Sequence, residues 1–436
     1  MPTVLYDCLN QFAAQDPLRM HMPGHKGKPL NVPELAGVSS IDFTELPPTG
    51  NLYEAGEPFD SAQALWAKDF GFEYAQFLTG GSTMGIHTGL TLCCPPGSRV
   101  LVDRGCHRSV FHSMALLDLD PVYLKRPWMG EEGIVGAFVP SDVENILKHH
   151  PEIKTVCITS PTYCGVLSDV AGIAQVVHRY GGKLMVDGAH GAHLPFLGVK
   201  AFEGADVVVV SAHKTLPALG QSALLFTRGF DPDQVRRYAA LYGSSSPSYP
   251  ILASMDLARD YLEGEGGREY RRVAQRVQRL RGRFPSLGEN FDLDPCRLTI
   301  RAKDGPLLTR TLESMGIYPE MEDGGHVVFI LTCADCDADL DRLEQALEQC
   351  RALLGSRDVP LPPPPVPERA VSQRQALFSR TETLPLQACE GRVAACQLAP
   401  YPPGVPVVAP GERISKKELS YFHQIGYNNR VAVMIE

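Results

Sequence analysis

Between residues 56 and 230 the sequence alternates short apolar runs with longer amphipathic ones, a rhythm that few folds can accommodate. FEYAQFL, SRVLVD, DPVYLKR, KTVCITS, KLMVDGA, ADVVVVSA and SALLFT have the length and composition of buried strands. SDVENILKHHP and VAGIAQVVHRYGG, which lie among them, have helical spacing. Such a succession predicts an α/β fold, a mostly parallel sheet with helices on both faces. Ligands of such sheets bind beyond the carboxyl ends of the strands, so the polar residues that follow each run are the ones to examine.

At 436 residues the chain exceeds what one core holds, and a large domain with smaller ones is expected. The charged helical stretch LARDYLEGEGGREYRRVAQRVQRLRGRF leads out of the alternating block. CRLTIRA, GPLLTRTLESMGI, GGHVVFILT and DADLDRLEQALEQCRALL then read as strand, helix, strand, helix, and VPLPPPPVPE as a polyproline-like linker. The expected organisation is an N-terminal arm and entrance segment over 1–55, a large domain over 56–285, a smaller C-terminal α/β domain over 286–358, and a linker with a C-terminal segment over 359–436.

A net charge of −9 disfavours nucleic acid and anionic membranes as partners. No stretch approaches the roughly 18 apolar residues of a membrane span, and MPTVLYDCLNQFAAQDPLRM lacks the apolar core of a signal peptide. These features predict a cytoplasmic protein acting on a small molecule. The twelve cysteines are scattered, as buried reduced thiols would be. Cys333 and Cys336 have CxxC spacing, but no second pair follows, so no metal site is expected.

Four strand ends carry polar groups. FEYAQFL is followed by TGGSTMGIHTGLTL, in which small residues, Ser82 and Thr83 precede a helical run and suit a phosphate. The segment matches neither GxxxxGK[ST] nor GxGxxG, which counts against nucleoside triphosphates and dinucleotides. SRVLVD is followed by RGCHRS, with His107 at the start of the next helix. KLMVD ends on Asp187, with His190 and His193 just beyond; HxxH without a carboxylate at helical spacing is a poor metal ligand set. A carboxylate ending a buried strand is expensive unless it meets a cation. Lys214 lies 27 residues later, after VVVVSAH, about one crossover away, so the two fit on neighbouring strand ends. A phosphate cradle, a carboxylate and a lysine together describe pyridoxal 5'-phosphate: the loop holds the phosphate, Asp187 keeps the ring nitrogen protonated, Lys214 bonds to the aldehyde, and His107 can stack on the ring.

The same residues carry a resemblance. MHMPGHKG (20–27), TGGSTMG (79–85), DRGCHRS (103–109), SPTYCG (160–165), VDGAHGAHL (186–194), SAHKTLPALGQSA (211–223), SSSPSYPILASMDLAR (244–259) and the C-terminal PYPPGVPVVAPGE resemble motifs of the bacterial-type Orn/Lys/Arg decarboxylases. These are fold-type I pyridoxal phosphate enzymes, similar in architecture to aspartate aminotransferase. The resemblance implies that Lys214 is the attachment lysine, Asp187 the partner of the ring nitrogen and His107 the stacking imidazole. Ser82, Thr83, Ser211 and His213 would bind the phosphate. Ser245 falls in a segment that in this family reaches the phosphate of the neighbouring subunit, which implies a homodimer with the active site at the subunit interface. The chain departs from the family in three places: PPTGNLYEAGEPFD stands where relatives have an acidic stretch, Gly188 replaces a common glutamate, and the amino-terminal wing domain of the large enzymes is absent. The resemblance is therefore not extended to any assembly beyond a dimer.

The implied activity is decarboxylation of lysine, ornithine or arginine, releasing CO2 and a di- or polyamine. The cationic end of such a substrate needs a carboxylate, and among Glu45, Glu54, Glu57 and Glu412 the first and last rank highest. The proton donor to the α-carbon is left open between Lys214 and a nearby histidine. The alternatives are another fold-type I reaction (aldolase, carbon–sulfur lyase or aminotransferase) and a non-catalytic regulatory paralogue.

Overall fold

The computed structural model describes residues 3–28, 36–288, 290–359, 362–400 and 406–435. Part of the expected linker, 360–361, and part of the C-terminal motif, 401–405, lie outside them.

The seven apolar runs are all strands. β1 (Tyr74–Leu78), β2 (Arg99–Asp103) and β3 (Asp120–Leu124) are followed by a hairpin of β4 (Trp128–Met129) and β5 (Ile134–Val135), then by β6 (Thr155–Thr159), β7 (Lys183–Asp187), β8 (Val207–Ser211) and β9 (Ala223–Thr227). The large sheet has the order β1-β9-β8-β7-β6-β2-β3. β2 pairs parallel with β3 and β6, and β7 with β8, whereas β9 runs antiparallel to both neighbours. The reversal has a simple cause: a parallel return needs a long crossover, and residues 212–222 hold only the four-residue helix Ala212–Thr215. Among the described residues no helix is long and apolar enough to cross a membrane.

The chain divides into two compact units. The first comprises Met1–Leu92, Met185–Val273 and Thr332–Ala334. Its glycines set how closely a helix lies on the sheet: a Cβ at Gly85 would fall 2.6 Å from Val209 Cγ1, and one at Gly89 2.7 Å from Met185 Cε. Four-residue spacing puts both on one face of the helix Gly81–Cys93, so the helix seats directly on β7 and β8. Nearby, Phe70 stacks on Phe226 with centroids 4.1 Å apart and on Phe202. The buried Asp256 carboxylate accepts from the Leu5 and Tyr6 amides, satisfying donors that the helix Val4–Ala14 leaves unpaired at its start.

The second unit comprises Cys93–Leu184, Ala274–Leu331 and Asp335–Glu436. The expected strand, helix, strand, helix is present as β10 (Arg297–Arg301), the helix Gly305–Ser314, β12 (His326–Ile330) and the helix Asp337–Gln349. A short β11 (Met321–Glu322) completes the sheet β10-β12-β11, antiparallel throughout. Cys336 is exposed as the N-cap of the helix Asp337–Gln349, whereas Cys333, which belongs to the first unit, is buried. In the C-terminal segment, β13 (Thr381–Pro385) and β14 (Arg430–Met434) pair antiparallel over a core of Leu386, Val408, Phe422, Val431 and Val433.

His326 is the strongest electrostatic feature of the small sheet. Its Nδ1 lies 3.1 Å from Asp323 and its Nε2 3.6 Å from Glu132, which also takes Arg301. Burial alone would lower the imidazole pKa, but the hydrogen bonds and charges of Asp323 and Glu132 outweigh it and raise the value to about 9. The unfolded value is roughly 6.5. The stabilisation is therefore complete below about pH 6.5 and is lost as pH rises through about 9. Thermal unfolding should show stability falling by roughly 2–3 kcal/mol across that window. His326→Gln should be less stable at pH 6 and lack the slope; a slope unchanged in the variant would remove His326 as its source.

Candidate active site

The parallel register of β7 and β8 places Asp187 opposite Val209. Asp187 ends β7, and β8 ends two residues after Val209, at Ser211, with Lys214 three residues further on. The carboxylate and the lysine thus emerge at the same edge of the sheet on adjacent strands. Asp187 is buried and accepts from the Ala189 amide, which orients it. The chain turns sharply after it: Gly188 donates to the Val209 carbonyl, and a Cβ at Gly188 would fall 2.7 Å from the Phe202 ring. Any side chain at this position would press on the Phe202 ring.

Lys214 is supported from two sides by the histidines that follow Asp187. Its Nζ lies 3.1 Å from Nε2 of His190, which is itself buried. His193, also buried, stacks on Tyr270 at 5.3 Å, and the Tyr270 hydroxyl donates to the carbonyl of Thr215. One histidine therefore meets the amine and the other steadies the backbone beside it. The sequence marked these two residues only as a poor metal pair; the contact with Lys214 is a property of the β7–β8 pairing.

The expected phosphate residues gather at the same edge. Ser82 and Thr83 lie in the first turn of the helix Gly81–Cys93, where backbone amides lack intrahelical partners. The Gly81 amide donates to the Gln221 carbonyl, tying this turn to the residues before β9. His213 Nδ1 donates to the Ser222 carbonyl at 2.8 Å, leaving its other nitrogen for a ligand. The hydroxyls of Ser211 and Ser222 are fully buried without a hydrogen-bond partner, although buried polar groups are ordinarily satisfied. Unsatisfied hydroxyls, helix-start amides and an imidazole form a donor set that suits a phosphate. The residues present therefore fit pyridoxal phosphate. Ser245 is exposed, in a loop where the Ser244 hydroxyl accepts from the Ser246 amide.

Glu45 lies in the same unit. Its Oε2 accepts from the Thr44 hydroxyl, while Oε1 is buried with no partner. The Tyr53 hydroxyl is likewise buried and unpartnered; burial first, and then the charge of Glu45, push its pKa up to about 12. Sequence reasoning passed over Tyr53.

The second unit holds His107 and Glu412. Asp103, at the end of β2, accepts from the Gly105 amide and is paired with Arg126. His107 caps the helix Arg108–Leu116, taking the Ser109 amide at Nδ1, and its side chain is exposed. Between them, Arg104 donates to the carbonyls of Pro406 and Val407 and to Glu412 Oε2 at 2.7 Å. That same oxygen accepts from the Ala409 amide. Glu412 is 1% exposed. Burial raises its carboxyl pKa above the usual range, against the pull of Arg104. Glu412 thus ties the C-terminal motif to the loop that leads to His107, a role for which Arg104 gave no sequence signal.

Comparison with known proteins places these features. The family model for the major domain of Orn/Lys/Arg decarboxylases matches residues 3–299, and the model for their C-terminal domain matches 362–430. An uncharacterized protein of Bacillus subtilis is 32% identical over 456 aligned residues, covering 96% of this chain and 93% of that protein. An arginine decarboxylase of the same organism is 29% identical over 453, covering 96% and 92%. The crystal structure of a lysine decarboxylase of Francisella novicida superposes with a TM-score of 0.83 at 19% identity, over 100% of this chain and 81% of the other. That likeness establishes the fold-type I architecture, the mostly parallel sheet with flanking helices and a smaller α/β part.

Removing one partner of a buried ion pair leaves the other charge uncompensated, at a cost of about 3–5 kcal/mol. Glu412→Ala should therefore lower the unfolding midpoint strongly, and Glu412→Gln, which keeps an acceptor for Arg104 and Ala409, should do so less. Equal and small effects in chemical denaturation would show that the pair is not what holds the segment.

Proposed function

The chain belongs to the Orn/Lys/Arg decarboxylase family of carboxy-lyases, and from that premise we propose that it uses pyridoxal phosphate at Lys214 to decarboxylate a basic amino acid, arginine first among the candidates. The observation that carries this reading is that β7 and β8 deliver Asp187 and Lys214 to one sheet edge, where two buried serine hydroxyls lack partners. Arginine is put first because relatives at 27–29% identity over 96% or more of the chain are arginine decarboxylases.

Decarboxylation leaves an electron pair on the α-carbon, and the bound cofactor supplies the protonated ring that accepts it. The residues of the chain hold and tune that ring. Asp187, buried at its strand tip, would keep the ring nitrogen protonated by placing its carboxylate against it. Ser82, Thr83, Ser211 and His213 would hold the phosphate, and the family resemblance gives His107 the ring. Glu45 offers its unpartnered oxygen to the cationic end of the substrate. Ser245 is exposed, as a residue that serves a second copy would be, and the family resemblance gives it the phosphate of that copy, so the working unit would be a homodimer.

The test is carbon dioxide release from arginine, lysine and ornithine, combined with borohydride reduction and peptide mapping. Release from at least one of the three and a pyridoxyl mass on Lys214 are expected. A label on Lys214 without carbon dioxide would point to another fold-type I reaction, and a label on a different lysine would end the assignment. Asp187→Asn should keep the cofactor attached but lower kcat at least a hundredfold, because a neutral amide cannot hold the ring nitrogen protonated. A variant within threefold of wild type would remove Asp187 from that role.

A further inference from the structure

Replacing a carboxylate by hydrogen consumes one proton per turnover: RCH(NH3+)COO− + H+ gives RCH2NH3+ and CO2. A proton must therefore enter the site in every cycle. Lys214 Nζ is half-buried, and among the described residues the ring nitrogen recorded against it is Nε2 of His190, at 3.1 Å. Two basic nitrogens this close do not both hold a proton readily, because like charges at contact repel in a poorly solvated site. A single proton between them would satisfy the contact, and passing it from one nitrogen to the other needs no rearrangement of either residue.

We propose that His190 is the group through which a proton reaches and leaves Lys214. This inference rests on the reading of Lys214 as the attachment lysine. When the apoprotein takes up pyridoxal phosphate, His190 Nε2 would accept the proton that the Lys214 ammonium must lose before its amine could bond to the aldehyde with release of water. During turnover the direction reverses. The α-carbon takes a proton from Lys214, forming a C–H bond with the electron pair left by carbon dioxide, and His190 returns a proton to Lys214. His190 is then recharged from solvent, so the sum is the one proton the overall reaction consumes. His190 acts through Lys214 and is a positioning and proton-supplying residue.

The geometry separates this role from a packing role. His190 sits just past Asp187, held by the turn in which Gly188 bonds to Val209, while His193 supports the Lys214 backbone through Tyr270 and Thr215. A residue needed only to hold Lys214 in place would be replaceable by one that keeps the hydrogen bond. A proton carrier would not.

The experiment uses the full chain with His190→Gln, which keeps size and a hydrogen bond but transfers no proton, and His190→Ala. Three readouts are taken: the rate of cofactor capture by the apoprotein at pH 7, the turnover of whichever of arginine, lysine or ornithine the wild type uses, and the fraction of cofactor ending as pyridoxamine phosphate. That last product forms when the proton goes to the cofactor carbon rather than the substrate carbon. Both variants should capture cofactor at least tenfold more slowly, lose about a hundredfold or more in kcat, and accumulate the amine form at least tenfold more per turnover. Added imidazole should restore the alanine variant. A glutamine variant within threefold of wild type in capture rate, kcat and partition would overturn the proposal. Failure of reductive labelling at Lys214 in the wild type would instead sink the reading on which it rests.

Discussion

The candidate site depends on the parallel pairing of β7 with β8. That register, Asp187 opposite Val209, brings the carboxylate, the lysine and the histidine beside the lysine to one edge. A one-residue slip would turn every side chain of a strand to the other face and move Asp187 off its target. The register is protected by what packs on it. Gly85 and Gly89 admit the helix Gly81–Cys93 directly onto Val209 and Met185, so the helix that presents Ser82 and Thr83 is seated on the same strands that present Asp187 and Lys214. Backbone pairing and helix seating are thus one constraint.

Charge in the interior follows a consistent rule. Asp103 meets Arg126, Arg104 meets Glu412, and His326 meets Asp323 and Glu132. Each is a buried charge with its countercharge within about hydrogen-bond reach, as the desolvation cost demands. The pairs also sit at joints. Asp103 and Arg104 adjoin the loop that ends in the His107 cap, and Arg104 draws in the C-terminal segment from 308 residues away.

Much of the fold was legible because strands buried on both faces are written as continuous apolar runs, and seven such runs became seven strands. The direction of β9 was not, since apolar content carries no sign; it follows from the short connection 212–222. β13 was hidden for another reason: TETLP is largely exposed and so lacks a hydrophobic pattern. In the site, Asp187 and Lys214 were visible because a polar residue ending an apolar run is costly without a purpose. His190 was in view only as half of a poor metal pair; its contact with Lys214 was not legible, because that residue is 24 positions away and follows another strand. Glu412 drew notice as an acid in a motif, while Arg104, which defines its environment, looked like any loop arginine.

The two carboxylates ranked for a substrate cation now differ in what they have left to offer. Glu412 Oε2 already takes Arg104 and the Ala409 amide, and drawing it toward a second cation would strand a buried guanidinium. Glu45 has given one oxygen to Thr44 and keeps the other buried and unsatisfied, with the unpartnered Tyr53 hydroxyl close enough for its charge to raise the phenol pKa. A cation with several N–H donors would satisfy both atoms, and its charge would offset that of the carboxylate. Of the two carboxylates, only Glu45 keeps a buried oxygen without a partner, and the Tyr53 hydroxyl that feels its charge is in the same condition, so these two atoms are the ones a bound donor would satisfy.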